Sequence, residues 1–162
     1  MANTQSMCTS FMGDLLNAYH NFGTAPTRAS SAADTFKGAL YLTTATQNAA
    51  TTAYSATGEV TGTNYTAGGV TVTNATAPTA TNSSATAGVA YWTPSASLQY
   101  GSSGSPVTLS TAFDTVLIYN SSQSNKAVSV HTFGSQTVTA GIFTLTMPTN
   151  NTTNALLRLV TT

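Results

Sequence analysis

The stretch "TGEVTGTNYTAGG" holds Glu59, the only glutamate of the chain, among Gly58, Gly62, Gly68 and Gly69. Glycines around one acidic group suit a phosphate cradle, a catalytic carboxylate or a set of turns. The cradle fails on spacing: neither G-x-G-x-x-G nor G-x4-G-K-S/T is present, and no lysine lies within the stretch. Gly68-Gly69 instead suits positive φ ahead of the alternating Val70 and Val72. As a general acid or base, Glu59 would need a second titratable group nearby. The other acids, Asp14, Asp34 and Asp114, are each isolated in the sequence. A glycan-cleaving enzyme would need two carboxylates about 5–9 Å apart, and four lone acids are a poor source of such a pair. Glu59 is therefore expected to be a solvated turn carboxylate or one side of a surface ion pair.

The remaining reactive types are few. His20 and His131 have no neighbouring Cys or acid cluster, so a metal site is not expected. His131 alternates with Val130 and is expected at a surface or an intersubunit position. Cys8 has no base beside it and cannot form an internal disulfide; it reads as a packed, small apolar side chain. No G-x-S-x-G occurs. Trp92 and the seven tyrosines could form a carbohydrate platform, but aromatics more often anchor cores and interfaces. No catalytic residue, cofactor or metal is expected.

The elements that must position these groups are mostly strands. Residues 10–22 are the exception: Phe11, Leu15 and Tyr19 recur at helical spacing with Met12 and Leu16 beside them, which predicts one short N-terminal helix. Beyond it, "TFKGALYLTT" and "GGVTVTNAT" alternate as half-buried strands do, and "VAYWTPSASLQY" reads as a strand broken at Pro94. The run Val116–Tyr119 is apolar throughout and predicts a central strand covered on both faces. With "KAVSVHTFG" it predicts a hairpin around "SSQSN". "GIFTLTMP" and "NALLRLVTT" follow, the latter with Leu157 and Leu159 on one face. "APTATNSSATAG" is a low-complexity polar linker or loop. Seven or eight short strands predict an antiparallel β-sandwich, jelly-roll or immunoglobulin-like. The division expected is an arm and helix over residues 1–23 and one β-sandwich domain over residues 24–162.

A chain of 162 residues and 16.5 kDa supports one self-sufficient core. Its charged fraction is 5%, where about 25% is usual. The polar surface must come from Thr, Ser, Asn and Gln, which suits faces buried against neighbours in an assembly. Zero net charge with four scattered basic residues argues against nucleic-acid partners and against anionic membrane. The N-terminus lacks a basic region followed by a long apolar run, so no secretory signal is read.

Several segments in order carry a resemblance: "DLLNAYHNF", "DTFKGALYLTTATQNAATTAYSATGEVTGTNYTAGGVTVTNA", "AYW", "TVLIYNSSQSNKAVSVHTFGSQTV" and "GIFTLTMP". Together they resemble tailed-bacteriophage virion structural proteins, of the kind that decorate (cement) the head. The resemblance implies a non-enzymatic capsid protein, assembled in the host bacterial cytoplasm and resident on the capsid surface. Its partners would be the phage major capsid protein and further copies of itself, with a trimer as the first expectation. Candidate interface residues are Phe11, Met12, Leu15, Tyr19, Tyr54 and Tyr65, together with the polar arm over residues 1–9. The rival expectation is a tail-fibre or receptor-binding module that recognises host surface glycan.

Overall fold

The structure is a computed structural model. It describes residues 3–8, 19–20, 22, 33–73, 78–80 and 89–160. The protein is mainly β and its sheets are antiparallel. Ten strands occur among the described residues: β1 (Ser6–Met7), β2 (Phe36–Leu42), β3 (Val70–Thr71), β4 (Thr79–Ala80), β5 (Val89–Trp92), β6 (Leu98–Tyr100), β7 (Val107–Asn120), β8 (Lys126–Gly141), β9 (Phe143–Leu145) and β10 (Leu157–Val160). No helix occurs among them. The helix expected over residues 10–22 lies largely outside the described residues, and Tyr19, His20 and Phe22 at its end are not helical.

The largest sheet runs β1-β8-β7-β2-β3. Its centre is the long β7–β8 hairpin, closed by a turn in which Ser124 and Asn125 take left-handed φ of 51° and 57°. β7 is paired along both edges, by β8 and β2, and both faces of its apolar run are covered as well, since the consecutive Val116, Leu117 and Ile118 are all fully buried. Register sorts the two faces. Leu40, Val116 and His131 share one row, while Ala39, Leu117 and Val130 share a row on the other side.

Upon the Val116 face pack the short strands. Trp92 of β5 tilts against Phe22 and Phe36, with ring centroids 4.7 and 6.1 Å away. Phe143 of β9 meets Phe113 edge-on at 5.0 Å. Gly38 lets β6 approach β2, because a Cβ there would sit 2.6 Å from Leu98 Cδ1. β6 pairs with β9, and β10 and β4 flank β5. The apolar period of the last strand is only half realised: Leu157, opposite Trp92, is buried, whereas Leu159, opposite Ala90, is 45% exposed.

The N-terminal residues lie along the body. β1 adds to β8 through Ser6 and Met7 opposite Val130 and Ser129. Asn3 Nδ2 donates to Leu42 O and to Asp114 Oδ1, and Gln47 N donates to Asn3 Oδ1. Cys8 is fully buried, and burial pushes its thiol up to about 11. A thiol reagent near pH 8 is expected to label Cys8 only as fast as the chain opens. Labelling at the rate of a free cysteine in the native protein would contradict that burial.

Candidate functional site

The one glutamate is the hub of the polar interior. Leu42 N donates to Gly58 O and Val60 N donates to Leu40 O, so residues 58–60 extend the β2 edge beyond β3. This sets Glu59 opposite Tyr41. Glu59 is 6% exposed, and both carboxylate oxygens accept hydrogen bonds. Tyr54 OH donates to Oε2 at 2.7 Å. Tyr65 OH and Gly68 N each donate to Oε1 at 2.7 Å. The expectation of a solvated or ion-paired turn residue is therefore corrected. The glycines do make turns, with φ of 78°, 87° and 73° at Gly58, Gly68 and Gly69, but those turns fold the loop inward over the carboxylate.

More tyrosines close around this hub. Tyr41 OH donates to Ser55 O, Tyr119 OH to Gly68 O, and Tyr100 OH to Gly38 O. Tyr65 OH also accepts from Leu40 N, filling a place on the β2 edge that a paired strand would otherwise take. The Tyr54 and Tyr119 rings stack at 4.7 Å, and those of Tyr65 and Tyr100 at 6.1 Å. Five of the seven tyrosines thus ring one acid.

Burial raises the hydroxyl pKa of Tyr41, Tyr54, Tyr65, Tyr100 and Tyr119, and the Glu59 charge adds to it. The hydroxyls stay neutral and donating. A base whose oxygens already accept three hydrogen bonds, inside a ring of neutral donors, is built to brace loops rather than to move a substrate proton. The sign of the pH effect follows. Folded-state values lie above the ordinary tyrosine value of about 10, so the stabilisation is complete below that value and lost as pH rises through the raised folded values. Alkaline unfolding is expected to begin above about pH 10, with tyrosinate absorbance and loss of near-UV circular dichroism in one step. Ionisation of more than two of the seven tyrosines well before any loss of structure would contradict it.

The other described acids are engaged as well. Asp34 accepts from Asn120 Nδ2 at 2.8 Å and from Gln123 Nε2 at 3.0 Å. The same Asn120 amide reaches His20 Nδ1 and the Tyr19 carbonyl, tying residues 19–20 to the β7–β8 turn. His20 itself is buried near the rings of Phe22 and Phe36. Asp114 accepts from Asn3 and Thr115. Asp14 lies outside the described residues. Among the described residues no three His, Cys, Asp or Glu side chains come together as metal ligands would.

His131 stands on β8 opposite Val116, half-buried, with Nε2 2.8 Å from Ser129 Oγ. Burial lowers its imidazole from 6.5 to about 4. The folded state therefore prefers the neutral ring: its contribution is present above pH 6.5 and is lost as pH falls toward 4. Across that window the native protein is expected to lose up to about 1.4 kcal/mol per pH unit relative to His131→Asn. Parallel stability profiles for the two proteins would contradict this.

Three of the six candidate interface residues are among the described residues. Phe11, Met12 and Leu15 lie outside the described residues. Tyr19 is 41% exposed, with Lys126 Nζ 4.8 Å from its ring centroid. Tyr54 and Tyr65 are half-buried and turn their hydroxyls to Glu59. Trp92 and Tyr100 are buried, so neither belongs to an exposed sugar platform. The residues missed are Tyr41, Tyr100, Tyr119 and the Gly68 amide. Only the nearness of Tyr54 and Tyr65 to Glu59 in the chain could have signalled the cluster.

The chain matches no family model, no curated protein and no solved structure. No helix among the described residues is long and apolar enough to cross a membrane.

Proposed function

We propose that this is a non-catalytic structural protein of a tailed-bacteriophage virion, a decoration protein that binds the assembled head where major-capsid subunits meet. The observation that carries this reading is the use of every described acid: Glu59, Asp34 and Asp114 each hold chain segments together. What remains outside is a surface of Ser, Thr and Asn, suited to burial against neighbours. The resemblance of "LIYNSSQSNKAV" and the Glu59 segment to phage virion proteins supplies the setting. The packing of short strands on the Val116 face of the large sheet supports a sandwich of jelly-roll or immunoglobulin-like type.

The mechanism is linkage. A protein that contacts several subunits only in the finished shell stabilises that shell by its binding free energy. Each contact would bury roughly 1,000 Å² or more. A homo-oligomer, with a trimer as first candidate, would match a site of local symmetry. The test is to add the purified protein to heads lacking it, then count copies by cryo-EM and measure the temperature of head rupture. Hundreds of ordered copies and a raised rupture temperature are expected. A few copies confined to the tail, with specific signals on a glycan array, would favour a receptor-binding module instead.

A further inference from the structure

A cavity of about 300 Å³ opens between the Val116 face of the large sheet and the C-terminal residues 145–148 and 154–156. Val116 and Ile118, both fully buried, are its floor. Half-buried Leu145 and Met147 form a wall, and His131 closes the β8 side. At the rim stand the exposed carboxamides of Gln5 and Asn154. Among the described residues no Asp, Glu, Lys or Arg lines it, and burial keeps the imidazole uncharged above about pH 4.

We propose that this cavity binds an uncharged amphipathic group: an aliphatic or aryl moiety the size of a leucine or phenylalanine side chain, joined to an amide. The volume lies at the lower end of small-ligand sites, roughly 300–1,000 Å³. A floor without polar partners penalises any charged group, which would lose its water there. The two rim carboxamides each offer a donor and an acceptor, the pattern that an amide complements. An apolar group with an adjacent amide occurs both in free small molecules and in residues of a polypeptide. The site is independent of the head-binding reading, since it requires only the cavity.

The experiment is a methyl NMR titration of the full chain with N-acetyl-leucinamide, N-acetyl-phenylalaninamide and N-acetyl-lysinamide. Saturable shifts at Val116, Ile118, Leu145 and Met147 are expected with the first two, and binding of the lysine analogue about tenfold weaker or less. Gln5→Ala, at an exposed rim position, is expected to weaken the neutral probes about fivefold by removing one hydrogen bond. A capped tripeptide with central phenylalanine separates the sources: tighter binding than the single amide points to a polypeptide, equal or weaker binding to a small molecule. The proposal is overturned by absence of saturable shifts, by equal response to the lysine analogue, or by shifts equally large at Leu117 and Val130 on the opposite face.

Discussion

Replacing Glu59 by alanine is expected to lower the unfolding midpoint by roughly 10 °C, the largest loss from any single polar side chain here. The substitution strands the Tyr54 and Tyr65 hydroxyls and the Gly68 amide at once. Each lost hydrogen bond costs on the order of 1 kcal/mol, and each buried group left unsatisfied costs more. A total of about 3–5 kcal/mol follows, and a chain of this size shifts by about 2–4 °C per kcal/mol. Glu59→Gln should cost less, about 1–2 kcal/mol, because its amide keeps one acceptor and the shape. Thermal and urea unfolding of both variants give the order. Two variants as stable as the native protein would show that the carboxylate braces nothing.

Gly69→Ala should be more severe still. Gly69 has φ of 73°, where a side chain is strained. A Cβ there would overlap the Gly38 carbonyl oxygen and lie 2.7 Å from Ala39 Cα. These are backbone atoms of β2, and they cannot yield without breaking the pairing of Gly38 with Val70. A loss above about 4 kcal/mol is expected, enough to leave much of the protein unfolded. Gly104→Ala is the control: nothing lies within 4 Å of its added Cβ, so the change should stay within about 0.5 kcal/mol. Circular dichroism and soluble yield compare the two. Equal stability of both variants would refute the close approach of the loop to β2.

Much of the fold was legible because it depends on neighbours in the chain. The continuous run Val116–Tyr119 announces a strand covered on both faces, and β7 is central. The polar turn before Lys126 announces a hairpin, and Gly68-Gly69 announces positive φ. Pro94 separates β5 from β6 as expected. Less legible was the N-terminal segment, read as a polar arm. Pairing of Ser6 and Met7 with a strand more than 120 residues away leaves no local period. The same holds for Leu159, whose period is correct but whose opposite residue is a half-buried alanine.

Glu59 divides the two kinds of information most clearly. By itself, the sequence determined that this acid is solitary, lies among turn-forming glycines and lacks both phosphate-loop spacing and a sequence-adjacent catalytic partner. Those are properties of type and spacing, and from them no phosphate cradle and no catalytic pair is expected at this acid. Whether the acid faced water or the interior was decided only by tertiary structure. Its partners arrive from the loop at Tyr54, from the second turn at Tyr65 and Gly68, and its surroundings from Tyr41, Tyr100 and Tyr119 on three separate strands. A buried charge is tolerated only where several donors converge. The three donors lie within nine residues of Glu59, but the strands whose tyrosines shut water out are far apart in the chain, and their closing over the acid is a property of the folded chain.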